Sequence, residues 1–385
     1  MKKVRLGIIG VGSMGVFHSG LLLDGKIGRC ELRAVCDNDK ERLKDFHQYE
    51  NISTYDNSRS LIKSGDVDAV LIVTPHYSHT TIGIDALEAG LHVLVEKPIS
   101  VHKADCEKLI AAHTNKKQAF AAMFQLRTSP LYKKVKELVD TGELGRLTRV
   151  NWIVTSWFRT DTYYASGGWR ATWKGEGGGV LLNQCPHNLD LLQWICGMPS
   201  RVTGFCSFGK WHDIEVEDEV TVYLEYPNGA TGVFITTTGE APGTDRLELC
   251  GEMGKVVVED GKIHFTRNVV PMSEFRRTSD KMFAAPEVWH VEVPTESSGG
   301  KHAEILQNFV DTILDGAPLI APAEEGIHSV ELANAMVYSS VIGKPVELPF
   351  DGAKYERMLK KLIRDSKFSK KTTWKKSKDM GSSFK

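Results

Sequence analysis

The chain has 385 residues, of which 41% are hydrophobic and 25% are charged, and its formal net charge is −1. These values are typical of a globular protein with a sizeable core, and the length is sufficient for two domains. The balanced charge gives no electrostatic case for binding nucleic acid or a membrane surface, and no apolar run approaches the length of a transmembrane helix.

The N-terminal residues and the cysteines indicate the compartment. Met1-Lys2-Lys3 passes directly into an apolar strand pattern, which leaves no room for a signal peptide. The seven cysteines are scattered, odd in number, and form no CxxC pair. We therefore expect reduced structural thiols in a cytoplasmic protein.

A glycine-rich turn follows the first predicted strand, Val4–Ile9, and precedes a segment with apolar residues at helical spacing. The turn consists of Gly10, Val11, Gly12, Ser13, Met14 and Gly15. Gly10 permits a tight turn, Gly12 lets a pyrophosphate approach the backbone, and Gly15 lets the helix pack closely on the strand. The start of the helix offers free N–H groups to phosphates. This pattern predicts dinucleotide binding.

A second apolar run, 32–36, ends in Asp37, about twenty residues beyond the last glycine, where a carboxylate accepts both ribose hydroxyls. Asp37 would repel a 2′-phosphate, and no arginine follows it directly. The sequence therefore favours NAD over NADP, although Lys40 and Arg42 lie close by.

Strand and helix patterns alternate up to about residue 125. The further predicted elements are a short helix that includes 61–62, a strand at 69–73, a helix at 81–89, a strand at 91–95, a helix at 103–113 and a strand at 119–124. This rhythm predicts a doubly wound parallel sheet, a Rossmann domain over residues 1–125. Polar segments follow the strands at 74–79, 96–98 and 125–127, where the carboxyl ends of parallel strands bind ligands.

Beyond residue 126 the pattern changes to a helix at 131–139, an alternating strand at 147–157, and an aromatic and glycine-rich loop at 159–179. A helix at 180–195, five alternating strands between 202 and 258, and helices at 302–315 and 329–340 follow. We expect an α+β domain over 126–350, built on a large, mostly antiparallel open sheet with helices on one side. Residues 351–385 are expected to form a C-terminal helix and a basic tail, which either frays or docks a partner.

Two motifs carry candidate chemistry. Lys97 follows a strand on the predicted cofactor edge, and a lysine shielded from water there has a pKa lowered toward neutrality. Asn183 and His187 are spaced i,i+4 and so share a face of the predicted helix. Asp190 lies on that face and is placed to orient His187. Removing a hydride from a secondary alcohol requires a group that takes the hydroxyl proton, for which lysine and histidine are both suited.

From residue 4 to about residue 350 the chain resembles the Gfo/Idh/MocA oxidoreductases, named after glucose–fructose oxidoreductase, inositol dehydrogenase and the rhizopine-catabolism protein. The resemblance rests on the glycine turn, on Thr74-Pro75, on Glu96-Lys97-Pro98 and on the motif at 177–190. It implies a cis Lys-Pro bond, a lysine that hydrogen-bonds the reacting hydroxyl, and a catalytic role for His187. It also implies that a set of residues contacts the nicotinamide half of the cofactor: Thr74, Pro75, His79, Glu96, Lys97 and Arg127.

The chain departs from the pattern of inositol-dehydrogenase-like members, which have an aspartate at the position of Asn183. Asparagine donates and accepts hydrogen bonds but relays no proton and adds no negative charge beside Lys97. The sequence therefore leaves open whether Lys97 or His187 is the base.

The loop at 159–179 combines flat apolar faces with hydrogen-bond donors, which suits a pyranose ring. The candidate substrate contacts on it are Tyr163, Tyr164, Trp169, Arg170, Trp173 and Lys174, to which Lys97, Asn183 and His187 are added; any one aromatic residue can instead anchor the loop. No metal-ligand spacing, GxSxG or P-loop occurs.

The sequence thus predicts an NAD-dependent dehydrogenase that oxidises a ring hydroxyl of a sugar, glycoside or inositol. One alternative is a glycoside hydrolase that retains NAD and acts by transient oxidation at C3 and elimination. A non-catalytic regulator that senses dinucleotide is a third. The resemblance further implies a homodimer or homotetramer.

Overall fold

The computed structural model describes residues 2–295 and 299–370, which form two β-sheets, one of six strands and one of nine. The predicted basic tail lies mostly outside these residues, so its two interpretations stay predictions. Within the described residues, no helix is both long and apolar enough to cross a lipid bilayer.

The first sheet is the predicted doubly wound sheet. Its strands are β1 (Val4–Ile9), β2 (Cys30–Cys36), β3 (Ser53–Tyr55), β4 (Ala69–Ile72), β5 (His92–Val95) and β6 (Phe120–Ala122). Its helices are α1 (Ser13–Leu23), α2 (Lys40–Leu43), α3 (Ser58–Ile62), α4 (Tyr77–Glu88) and α5 (Lys103–Ala112). The strand order is β3-β2-β1-β4-β5-β6 and every pair is parallel. All four residues of β4 are buried, as expected for a central strand with helices on both faces.

The second sheet has the order β14-β13-β12-β11-β7-β10-β9-β8-β15 in the described part of the chain. Its strands are β7 (Leu147–Val154), β8 (Arg201–Phe208), β9 (Glu217–Glu225), β10 (Thr231–Thr237), β11 (Asp245–Gly251), β12 (Gly254–Glu259), β13 (Lys262–Asn268), β14 (Val288–Val293) and β15 (Val346–Glu347). Its central pair β7–β10 is parallel and the other pairs are antiparallel. A Cβ atom at Gly232 would lie 1.8 Å from the Val150 carbonyl oxygen, so the close approach of β7 and β10 requires glycine there.

The remaining helices are α6 (Pro130–Asp140), α7 (Asp161–Ala165), α8 (Val180–Asn183), α9 (Pro186–Cys196), α10 (Met272–Thr278), α11 (His302–Asp315), α12 (Gly326–Ile342) and α13 (Gly352–Asp365). The single helix predicted for 180–195 is wrong, because the structure divides it into α8 and α9. Pro186 has no N–H to continue the helical ladder and disfavours helical geometry at Cys185, so a new helix begins at the proline.

The two sheets have separate hydrophobic cores, and the late helices are shared between them. Side chains of α11, among them Ile305, Leu306 and Phe309, belong to the core of the parallel sheet. Helix α12 packs on β8, where a Cβ atom at Gly204 would lie 2.3 Å from the Met336 carbonyl oxygen. Segments far apart in sequence therefore hold the two regions together.

Candidate functional site

The glycine turn lies at the carboxyl end of β1 and leads into α1. Gly10 has φ +97°, and a Cβ atom there would lie 2.7 Å from the Val73 carbonyl oxygen. A Cβ atom at Gly15 would lie 2.0 Å from the Gly10 carbonyl oxygen, so only glycine permits this packing of helix on strand. At Gly12 the nearest atom to a built Cβ is 3.5 Å away, on Arg42. The backbone at Gly12 is thus accessible to a phosphate group.

Asp37 lies at the end of β2 and is buried beside this turn. Its carboxylate accepts hydrogen bonds from the backbone N–H groups of Val11 and Asp39, each at 2.9 Å. The Arg42 guanidinium lies 3.5 Å from the same carboxylate. The residue predicted to bind the ribose is therefore held next to the glycine turn, with a cation beside it.

Two loops at the ends of β4 and β5 are joined by His79. Its ring nitrogens contact the carbonyl oxygens of Thr74 (2.7 Å) and Pro98 (2.8 Å). The Lys97–Pro98 peptide bond is cis, as the resemblance implies. The Thr74 hydroxyl is buried and has no hydrogen-bond partner among the described residues. His79 thus braces the loop that carries Lys97, and Thr74 offers a free polar group.

Glu96 is buried and contacts His18 of α1 through a 2.8 Å hydrogen bond. Its other carboxylate oxygen accepts the Lys97 backbone N–H at 3.1 Å. Burial alone would raise the pKa of Glu96, but the His18 hydrogen bond and nearby positive charges lower it to about 2. Glu96 is therefore an anion that holds the start of α1 and the Lys97 loop together.

The Lys97 ammonium donates a 2.8 Å hydrogen bond to the backbone oxygen of Asn183, at the end of α8. Loss of solvation lowers the pKa of Lys97, and the charges of Arg170 and Arg159 lower it further, whereas Glu96 and Glu176 raise it. Contact between residues 97 and 183 brings the parallel sheet and the second domain together at one point.

His187 lies in the first turn of α9 and is 6% exposed. The Gln125 side-chain amide nitrogen lies 3.2 Å from its Nε2, and its Nδ1 has no partner among the described residues. Burial lowers the pKa of His187 well below its ordinary value, and the charge of Lys97 acts in the same direction. The imidazole is therefore neutral at pH 7 and lies within the electrostatic reach of Lys97.

Asp190 does not orient His187, and that prediction is wrong. Its carboxylate accepts two hydrogen bonds from Arg127, at 2.6 and 2.8 Å, and a further one from Gln193. Arg127 is 1% exposed and donates its remaining hydrogen bonds to Glu325 and a backbone carbonyl. Asp190 is therefore paired with the arginine that follows β6.

The loop between β7 and α8 brings only part of the predicted substrate set to Lys97. The Tyr163 hydroxyl donates to the Asn183 side-chain oxygen at 3.2 Å and accepts from Arg170 at 3.0 Å. Tyr164 is buried and bonds Thr238. Trp173 is buried against Phe208 and faces a groove along α12 and α13. Tyr164 and Trp173 thus anchor the loop in the structure.

Glu176 is a site residue that sequence reasoning missed. It is 2% exposed, and its carboxylate accepts hydrogen bonds from the Asn183 side-chain amide and from the backbone N–H of Ala171. Burial raises its pKa above the ordinary value. The available signal was a carboxylate within the run Gly175–Gly179, where small neighbours permit close packing around it. Glu176 supplies a carboxylate beside Asn183, where the sequence alone indicated none.

These residues fit a dinucleotide. The N-terminus of α1 has no acidic residue in its first turn and begins at the accessible Gly12, which favours a phosphate group. Asp37 follows at the adjacent strand end, and the unpartnered Thr74 hydroxyl lies in the loop braced to Lys97. Among residues 2–295 and 299–370, no cluster of three His, Cys, Asp or Glu side chains is arranged to hold a metal ion.

Comparison with known proteins identifies both regions. Residues 4–124 match the model of the oxidoreductase family with an NAD-binding Rossmann fold, and residues 132–257 match the GFO/IDH/MocA C-terminal domain. The chain is 25% identical to myo-inositol 2-dehydrogenase of Thermotoga maritima over 336 residues, 84% of this chain and 92% of that protein. It is also 25% identical to an uncharacterised oxidoreductase, YrbE, of Bacillus subtilis, covering 90% and 97% of the two chains.

Among solved structures, the WlbA dehydrogenase of Chromobacterium violaceum, in complex with NADH and UDP-GlcNAcA, superimposes with a TM-score of 0.77. The two chains are 29% identical, and the match covers 91% of this chain and 97% of that one. The glycine turn, the Glu96-Lys97-Pro98 loop and the helix at His187 thus occur together in a chain that matches both domain models. The protein belongs to the Gfo/Idh/MocA family of NAD-dependent oxidoreductases.

Proposed function

We propose that this protein oxidises a secondary hydroxyl on a polyhydroxylated ring, a sugar or an inositol, with NAD as the acceptor. The observation that carries the proposal is the pairing of Lys97 with the backbone of Asn183, which sets an ammonium group and a neutral His187 at the carboxyl edge of the NAD-binding sheet. A relative named myo-inositol 2-dehydrogenase and a dehydrogenase solved in complex with UDP-GlcNAcA support a ring polyol as the substrate class.

We assign hydrogen-bond donation to the substrate hydroxyl to Lys97. One ammonium hydrogen is used by the Asn183 carbonyl, which leaves two for a ligand. A cation next to the hydroxyl oxygen stabilises the alkoxide character that develops as the C–H bond breaks. Because burial and the two arginines lower the pKa of Lys97, its ammonium gives up its proton more readily than a surface lysine does.

We assign acceptance of the hydroxyl proton to His187. Its pKa lies well below the ordinary value, so the uncharged ring that this role requires predominates at neutral pH. Gln125 holds the ring, and Phe124 packs edge-on against it with the ring centres 6.1 Å apart. When bound, the nicotinamide supplies the hydride acceptor, so the hydroxyl loses a hydride and a proton and becomes a ketone.

The test is a panel of sugars and inositols incubated with NAD, followed by NADH absorbance and by identification of the ketone product. Lys97→Met is expected to lower kcat/KM by about 10²- to 10⁴-fold, the usual contribution of such a group, without loss of NAD binding. Lys63→Met, an exposed lysine on the same sheet's periphery, is the control and should be unchanged. NADH formation by Lys97→Met at the wild-type rate would contradict the proposal.

The pH dependence adds a second check. Since the pKa values of both His187 and Lys97 are lowered, the acid limb of kcat/KM is expected below pH 6.5 and the alkaline limb below pH 10.5.

We also propose that the protein forms a homodimer or homotetramer. The apolar side chains of Phe205 and Tyr223, which are exposed on the second sheet, support this proposal.

A further inference from the structure

The loop between β7 and α8 carries two arginines that have no carboxylate partner. Arg159 and Arg170 form no ion pair with an Asp or Glu of residues 2–295 and 299–370, although the described chain has many such pairs elsewhere. Among the described residues, the Arg159 side chain donates a hydrogen bond only to the neighbouring Phe158 carbonyl, at 2.9 Å. Both side chains are half-buried. Arg170 is near enough for its charge to act on the buried Glu176, but neither arginine forms a direct salt bridge within the described residues.

Both guanidinium groups lie over the same aromatic ring. The central carbon of Arg159 is 5.2 Å from the centre of the Tyr163 ring, and that of Arg170 is 4.7 Å from it. Arg159 also lies over Trp157 at 5.5 Å, and Arg170 over Trp169 at 4.7 Å. These cation–π contacts hold the two groups beside the rings, and the N–H donors that make no hydrogen bond within the described residues remain for a ligand.

These cations lie close to the proposed reaction centre. Arg170 donates to the Tyr163 hydroxyl at 3.0 Å, the Tyr163 hydroxyl donates to the Asn183 side chain at 3.2 Å, and the backbone oxygen of Asn183 accepts from Lys97 at 2.8 Å. Three hydrogen bonds therefore link Arg170 to Lys97, and Arg159 lies over the Tyr163 ring in the middle of this relay. Both arginines are also near enough for their charges to lower the pKa of Lys97.

The local balance of charge is positive. Glu176 is the carboxylate in contact with Asn183, and it is already engaged by that side chain and by the Ala171 backbone. Glu96 is a second anion, beside Lys97. Against these two carboxylates stand four cations, Lys97, Arg159, Arg170 and Lys370, the last of which donates to the Arg170 backbone oxygen. A neutral polyol would leave this excess uncompensated, whereas an anionic group would neutralise it.

We propose that Arg159 and Arg170 form a subsite for an anionic substituent, a carboxylate or a phosphate, on the ring whose hydroxyl is oxidised at Lys97. The inference rests on the proposed function and narrows its substrate class from ring polyols to acidic ring polyols. The planar guanidinium groups present paired N–H donors that match either oxyanion, so the shared chemistry is an oxyanion and the two sources are separated by experiment.

The experiment compares matched neutral and anionic ligands on the full chain with NAD. Glucose is paired with glucuronate for the carboxylate arm, and glucose and myo-inositol with their monophosphates for the phosphate arm. At least one anionic member should have a kcat/KM tenfold or more above its neutral counterpart. Raising the NaCl concentration should weaken this preference, because salt screens charge attraction between partly exposed groups.

Arg170→Met is expected to lower the preference for the anion by about 10- to 100-fold, the value of one or two charge-assisted hydrogen bonds, and Arg170→Lys should lose less. Arg59→Met, an exposed arginine paired with Asp85, is the matched control and should retain the preference. Arg159→Met repeats the test at a second position, so the proposal remains testable if Arg170→Met does not fold.

Calorimetric titration of the same ligands into the NADH complex separates the two proposals. Binding of the anion that depends on Arg170, without any turnover, would uphold the subsite and contradict the proposed oxidation. Oxidation of neutral polyols as efficient as that of the anions, unchanged in Arg170→Met and Arg159→Met, would overturn the subsite and leave the oxidation standing. Failure of every anion to bind more tightly than its neutral counterpart would also overturn the subsite.

Discussion

The edge of the parallel sheet and the loop between β7 and α8 hold their polar side chains in different ways. At the sheet edge, Asp37 and Glu96 are buried anions that accept hydrogen bonds from backbone N–H groups of adjacent turns. On the loop, Arg159 and Arg170 are half-buried cations that stack on the ring of Tyr163. Side chains held by backbone hydrogen bonds have fixed positions, as a cofactor of constant shape requires. Loop side chains held by aromatic rings can be substituted without disturbing a strand, so the loop can differ with the substrate.

The largest effect is expected where the edge of the parallel sheet contacts helix α9. Arg127, which follows β6, forms a buried two-bond salt bridge with Asp190 of α9, and both side chains are 1% exposed. Arg127→Met leaves the Asp190 carboxylate buried without its cation. We expect the free energy of unfolding to fall by about 3–5 kcal/mol, measured by urea denaturation.

The matched control is again Arg59→Met, since its ion pair with Asp85 is exposed and contributes about 0–1 kcal/mol. If Arg127→Met also lowers the free energy of unfolding by no more than about 1 kcal/mol, the buried salt bridge does not stabilise the fold. A role of Arg127 in contacting the cofactor would appear instead as weaker NAD binding at unchanged stability.

A substitution at the sheet edge tests which residue sets the preference for NAD over NADP. Asp37→Ser removes the carboxylate that opposes a 2′-phosphate while Arg42 remains beside Gly12. The ratio of kcat/KM for NADP over NAD is expected to rise by about 10- to 100-fold, the value of one or two charge-assisted hydrogen bonds. Asp45→Ser, on the surface of the same region, should leave the ratio unchanged, and an unchanged ratio in Asp37→Ser would contradict this role.

The smallest expected effect is that of Glu176→Gln on the loop. The variant keeps a hydrogen-bonding side chain next to Asn183 but removes the negative charge that raises the pKa of Lys97. Lys97 then loses its proton at lower pH, so the alkaline limb of kcat/KM is expected to shift to lower pH by about one pH unit, which corresponds to roughly 1.4 kcal/mol. A pH profile identical to that of the wild type, with the exposed Glu88→Gln as control, would show that Glu176 serves packing alone.

The sequence by itself determined the parallel sheet, its glycine turn and the residues at its strand ends. These features depend on short-range rules, because buried parallel strands read as apolar runs and their ligand-binding residues come directly after them. The same rules predicted strands β7 to β12 from alternation. The family resemblance supplied the cis bond at Pro98 and the prediction that Lys97 and His187 act at one site.

Only the tertiary structure decided which distant side chains meet. Arg127 and Asp190 lie 63 residues apart and pair in the folded chain, a contact that neither helical nor strand periodicity predicts. Glu176 contacts Asn183 across a glycine-rich loop whose path no periodicity predicts. The sequence does not show that the arginines of that loop lack a salt-bridge partner among the described residues, whereas the folded structure does. Charge balance within a site is a property of three-dimensional proximity, and the order of residues along the chain does not encode it directly.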